Sequence, residues 1–204
     1  MFKTRKAPSS GPCRENLTKI TVSAMFTALA LSMKLAFSNT FLIAGVPLLR
    51  VGLPTGFSYV PALFFGPVYG AAALAVTDFA GWALKPVGPW LPALTLTEAL
   101  KGLAVGWAAR RLREADFPAF RSAGAFGALY LKTLIAVGPA SLAVTTLNTV
   151  ILKFAYGVGG SKSFLVYFLP RIIETSVSVA LMCYLLTLYQ DIYRKFVQPY
   201  FRKI

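Results

Sequence analysis

Between Arg50 and Trp107 the chain carries apolar runs long enough to lie in a bilayer, and Pro54, Gly56, Pro61, Gly66 and Pro67 keep interrupting them. In hydrocarbon a freed backbone N–H or C=O costs several kcal/mol unless protein or a water-filled cavity satisfies it. Broken helices therefore mark a cavity. The stretch reads as the wall of a small-molecule site.

Only 14% of the 204 residues are charged, 56% are hydrophobic, and mean hydropathy is +0.64. A soluble domain carries about a quarter charged residues, so the bilayer is the expected solvent. A hydrocarbon core of ~30 Å asks for roughly 20 apolar residues per helix. Six such runs with short connections predict an all-α membrane protein of six transmembrane helices: a tail over 1–18, a substrate-binding domain over 19–190 and a basic tail over 191–204.

The net charge of +14 does not form a nucleic-acid stripe. Lys3, Arg5, Lys6, Arg14 and Lys19 precede the first run, Arg110, Arg111, Arg113 and Arg121 lie between the fourth and fifth, and Arg194, Lys195, Arg202 and Lys203 close the chain. All three clusters fall on one side of a six-span arrangement, which is the positive-inside pattern and sets both termini in the cytoplasm. Lys34, Arg50, Lys85, Lys101, Lys132, Lys153, Lys162 and Arg171 lie outside those clusters, most of them toward the outer side. They describe either a weakly positive vestibule for an anionic solute or long side chains snorkelling to the interface.

Cys13 and Cys183 fall in the tail and the last run, so no disulfide, metal site or redox pair is indicated. The chain has no histidine, which removes the commonest general base and metal ligand. No nucleophile–base pair, carboxylate pair or metal cluster supports an enzyme, and no cofactor is implied. Ala36-Phe37-Ser38 imitates a signal-peptidase site, but the apolar segment before it is long, so it reads as an uncleaved helix.

In the first span, 19–37, Ala24, Ala28, Ser32 and Ala36 recur every four residues and form a stripe of small side chains. Such a stripe admits another helix closely, from within the chain or from a partner; physical chemistry alone favours the former. Residues 38–49 read as an outer loop and 51–65 as a short, broken second span. Gly66-Pro67 turns into a third helix, with Pro67 at its first position. Thr95-Leu96-Thr97-Glu98 has the pattern of a capping box opening the fourth span, and Glu98 can also pair with Lys101. Gly138-Pro139 predicts a kink in a long fifth span, and Pro170 marks the start of the sixth. The segment 157–163, GVGGSKS, lacks the Gly before Lys that a phosphate loop requires.

Asp78 lies eleven residues beyond Pro67, about 16 Å along a helix, where a carboxylate needs a cation, hydrogen-bond donors or a ligand. Arg50 and Arg171 are the candidate partners, in a ligand site or a structural ion pair. Asn148 both donates and accepts, which suits the edge of a heteroaromatic ring. Arg171 offers a planar fork for a carboxylate or carbonyl, with Glu174 one turn on. Phe57, Tyr59, Trp82, Trp90, Tyr156 and Tyr167 supply aromatic surface, either as an interfacial belt or as walls of a pocket for a flat ligand. A membrane scaffold without a ligand is the alternative of another class.

Several pieces in order, Leu49-Arg50-Val51, 64–70 (FFGPVYG), 77–81 (TDFAG), 86–92 (PVGPWLP), Leu147-Asn148-Thr149 and 170–173 (PRII), resemble the substrate-capturing S components of energy-coupling factor (ECF) vitamin transporters, specifically the folate family. The resemblance spans about 19–189. It implies a six-helix subunit in a prokaryotic plasma membrane that binds folate or a related vitamin from outside. It also implies a membrane coupling (T) subunit and two cytoplasmic ATPases as partners, with ATP hydrolysis residing there. The family's Ala-xxx-Ala contact with the coupling subunit matches Ala24 and Ala28. Glu98, Glu174 and the second-span segment 52–59 depart from the folate pattern, which leaves open another small water-soluble vitamin or a nucleobase-like cargo.

Overall fold

A computed structural model describes residues 12–37, 40–43, 46–50, 53–86, 90–114, 124–155, 157 and 164–192. Helix α1 (Pro12–Phe37) leads into a hairpin of β1 (Thr40–Ile43) and β2 (Val46–Arg50). The strands pair antiparallel, Thr40 opposite Arg50 and Ile43 opposite Val46, with an irregularity between Phe41 and Leu42. The stretch expected as a loop is thus partly a hairpin, and among the described residues the other elements are helical. Val46, Leu48 and similar apolar residues here suit a pleated strand as well as a loop at a membrane surface.

The second apolar run is short and broken, as its glycine and prolines predict: a 3-10 turn (Leu53–Tyr59) runs into the six-residue α2 (Val60–Phe65). Gly66 then adopts φ 104°, a conformation that disfavours any side chain, and Pro67 opens α3 (Pro67–Leu84). Helix α4 (Pro92–Glu114) begins three residues before the expected cap. Proline has no N–H to leave unsatisfied in a first turn and its φ is already helical, so Pro92 starts the helix and Thr95 falls inside it. Helix α5 (Ala125–Val150) runs through Pro139 and ends in a π turn (Ile151–Ala155). Helix α6 (Phe164–Ile192) likewise runs through Pro170 instead of starting there. At each internal proline one backbone hydrogen bond is missing while the flanking turns carry the helix across.

Three helical stretches are long and apolar enough to cross a membrane, Asn16–Ala36, Ala125–Phe154 and Phe168–Tyr189, and they make this a membrane protein of mainly helical build. Exposed Leu29, Ile135, Leu169, Val177 and Leu181 give these helices an apolar exterior suited to lipid. Within the bundle α4 packs between α3 and α5, α5 against α6, and α1 against α3 and the 3-10 turn.

Helices α3 and α4 meet backbone to backbone. A Cβ added at Gly102 would fall on the Gly70 carbonyl, and one at Gly106 on Pro67. Glycine at these positions permits the approach. The seam joins the first turns of α3 to the middle and second half of α4.

The core divides along the bundle. Val105 and Ala109 of α4, Ala136 and Val137 of α5, and Met182, Cys183 and Leu186 of α6 form one apolar cluster with Tyr59, Val60 and Leu74. Because successive helices run in opposite directions, these positions meet in the middle of the bundle and toward one end, with Tyr59 at the border of the polar region. The late residues of α1, α3 and α5 and the early residues of α4 and α6 share the other, and there polar side chains meet between elements, whereas the buried Thr27, Thr133 and Thr187 each donate to a carbonyl of their own helix.

Candidate functional site

The polar end is centred on the first turns of α4. Thr95 and Thr97 are two residues apart, so on a helix they diverge by about 200°. Thr95 meets α3 and Thr97 meets α5. Thr95 Oγ1 donates a 2.8 Å bond to Asp78 Oδ2, and Trp90 Nε1 donates to Thr95 Oγ1 at 3.3 Å. Asp78 Oδ1 lies 3.7 Å from Lys34 Nζ of α1, which also donates to the Thr77 carbonyl at 3.3 Å. The carboxylate therefore has a cation and a hydroxyl donor.

Among the described residues the cation beside Asp78 is Lys34, not Arg171. Arg50 ends β2, and its side chain lies outside the described residues. Arg171 instead donates from Nη1 to Thr149 Oγ1 at 3.4 Å, with Glu174 close enough to interact with its charge. A neighbouring contact, Thr145 to Thr175 at 3.0 Å, also joins α5 to α6.

Thr97 Oγ1 lies within hydrogen-bond reach of both the Leu94 carbonyl and the Asn148 side-chain oxygen. One hydroxyl proton serves only one acceptor. The pair is satisfied when Thr97 donates to Leu94 and Asn148 turns its amide NH₂ to Thr97. That leaves the Asn148 oxygen available as an acceptor.

Below this layer Lys101 pairs with Glu98, the i, i+3 contact expected from the sequence, although Glu98 does not cap the helix. The Lys101 ammonium also sits 5.8 Å from the centre of the Tyr59 ring. Tyr59 is only 3% exposed, and its hydroxyl is 3.5 Å from Ser141 Oγ. Two further hydroxyls, Ser58 donating to Thr77 at 3.3 Å and Thr77 donating to the Ala73 carbonyl at 2.7 Å, extend the polar region toward α3.

Aromatic surface adjoins the layer. Trp90 stands edge-on to Phe79, ring centres 5.4 Å apart, and lies 6.1 Å from Trp82 at a shallow tilt. Trp90 is 43% exposed, so one part of the cluster stays open. Phe57 is half-buried, while Tyr156 and the Tyr167 side chain lie outside the described residues.

Of the residues expected in a site, Asp78 and Trp90 meet through Thr95, Asn148 reaches the same helix start through Thr97, Tyr59 joins through Lys101, and Arg171 lies beside Thr149, next to Asn148 in the chain. Sequence reasoning names Lys34 only among the scattered outer basic residues and Thr97 only within the capping-box pattern, and does not single out Ser141. Lys34 had a usable signal: it lies eleven residues after Ser23, on the face that also carries Thr27 and Ala30, all three of them buried.

Ala24, Ala28, Ser32 and Ala36 are exposed, on the other side of α1. Among the described residues no helix buries this small-residue stripe, whereas physical chemistry alone favours a contact within the chain. Compared with models of protein families, and likewise with curated proteins, the chain finds no match.

Proposed function

We propose that this chain is the substrate-capturing subunit of an ECF-type importer, binding a folate-like vitamin from outside the cell and delivering it to an ATP-driven module. The observation that carries this reading is the gathering of polar contacts between six helical elements, edged by aromatic rings, toward one end of the bundle. A scaffold has no use for so many convergent polar groups in a low-dielectric bundle, where each must be satisfied. A ligand site does.

In this reading six segments cross a prokaryotic plasma membrane, with both termini cytoplasmic and the polar end outward. Trp90, Trp82 and Phe79 stack the flat ring, while Asp78 and the Asn148 oxygen read its polar edge. Arg171 or Arg50 meets a carbonyl or carboxylate. The exposed Ala24–Ala28 face of α1 supports docking on a membrane coupling subunit that carries two ATPases. A second cargo, another small water-soluble vitamin or a nucleobase-like molecule, is favoured by the charges of this layer: Lys34, Lys101 and Arg171 each stand beside an acid, which weakens their pull on an anionic tail.

Tryptophan fluorescence of the detergent-purified chain tests both. Saturable quenching by folate or 5-formyltetrahydrofolate at submicromolar concentration, about −8 kcal/mol or stronger, supports folate capture. Saturation by a different vitamin or a nucleobase moves the cargo, and no saturation across the panel returns the chain to the scaffold class.

A further inference from the structure

Lys34 crosses from α1 to α3 over a glycine. A Cβ built on Gly81 would lie 2.8 Å from Lys34 Nζ, 3.1 Å from Cε and 3.2 Å from Cδ, so the distal half of the lysine occupies the space an alanine methyl would take. Its ammonium then reaches two groups on α3: the Thr77 carbonyl, one turn before Gly81, and Asp78. Thr77 O already accepts along the helix, and its second lone pair takes the lysine.

From Asp78 the contacts continue without a gap. Thr95 donates to the other carboxylate oxygen, and Trp90 donates to Thr95. A single line of four side chains thus runs from α1, through α3 and α4, to the open ring of the aromatic cluster. The partly exposed carboxylate has both oxygens held, one by charge and one by a hydrogen bond. Remove the lysine, and Asp78 turns toward water and Thr95 loses its fixed acceptor. The Thr95 hydroxyl is then free to change rotamer, and the acceptor that orients the Trp90 indole is no longer fixed.

We infer that Lys34 is a positioning residue for the ligand site, seated in the slot left by Gly81, and that through it the placement of α1 controls the orientation of Asp78 and Trp90. The inference rests on the proposed capture function for its consequence: a partner that shifts α1 from its outer face withdraws Lys34 from the slot and loosens the site, linking docking to release. Lys34 need not touch the ligand.

The experiment has a ligand-free arm and a binding arm. In a single-tryptophan protein, W82F/W107F, Trp90 emission reports the end of the line directly. Lys34→Met and Gly81→Ala each shift that emission to the red, and Lys34→Arg, which keeps the charge, leaves it close to the parent. In the full chain both K34M and G81A weaken 5-formyltetrahydrofolate binding roughly tenfold, and the double variant K34M/G81A is no weaker than either alone, as residues acting through one contact require. Unchanged Trp90 emission in K34M overturns the inference. So do additive losses in the double variant, which would make Gly81 and Lys34 independent. If the parent binds no folate, the cargo reading falls, and the emission arm still decides the role of Lys34.

Discussion

Thr95 Oγ1 donates to Asp78 Oδ2 at 2.8 Å, joining the first turns of α4 to the last turns of α3 at the point where an acidic side chain most needs a donor. A hydrogen bond to a charged acceptor contributes about 1.5–3 kcal/mol. Thr95→Val keeps the shape and removes the donor. Ligand affinity should fall by roughly tenfold or more, with helix content unchanged by circular dichroism; equal affinity would remove Asp78 from recognition.

The Thr97–Asn148 contact is asymmetric, and its two truncations should differ. Asn148→Ala leaves Thr97 its Leu94 carbonyl and should cost about 1 kcal/mol of stability. Thr97→Val strands the Asn148 amide in a partly buried position and should cost more, about 1–3 kcal/mol. Thermal denaturation in detergent orders the two.

Lys101 and Glu98 are largely sequestered, with side chains 14% and 21% exposed. Removing one partner of such a pair leaves an uncompensated charge, so Lys101→Ala should destabilise by about 3–5 kcal/mol. The double change E98Q/K101M takes away both charges and should recover much of that loss. A double change as harmful as the single would show that Lys101 acts through Tyr59 instead.

At the α3–α4 seam, Gly102→Val drives a side chain into the Gly70 carbonyl. Helices forced apart there lose the alignment of Asp78 with Thr95. The variant should lose at least about 1–3 kcal/mol and most of its ligand binding, whereas Gly138→Ala, inside a helix where an added Cβ meets nothing within 4 Å, should be near neutral or slightly stabilising.

Ala24 and Ala28 make the opposite prediction. Both are exposed, so A24L/A28L should change stability by less than about 0.5 kcal/mol and leave ligand affinity alone. Copurification with a membrane coupling partner should be lost. Retained copurification would place docking elsewhere.

The helices were legible in the sequence where patterns were local. Pro67 behind Gly66, the broken second run and the Glu98–Lys101 spacing all act over a few residues, and the structure bears them out. Thr95 and Pro170 were misread because each motif had a competitor: Pro92 opens α4 earlier, and α6 carries its proline internally. The site was half legible. Asp78, Asn148 and Trp90 drew notice as polar or amphipathic groups in apolar surroundings. The lysine beside Asp78 is 44 positions away in the chain, and nothing local tells Lys34 from Arg171 as its mate. Only the packing of α1 on α3 decides it.

The glycine seam between α3 and α4 contains almost no side chains, and so it has almost no rotamers to redistribute. Such an interface can be kept or broken but not gradually retuned. The interfaces of α1 and α6, lined by Lys34, Phe26, Met182 and Tyr189, do have that freedom. Under the proposed capture function, entropy exchanged on binding and release is therefore drawn from those flexible walls, while the glycine seam serves as the fixed reference against which they move.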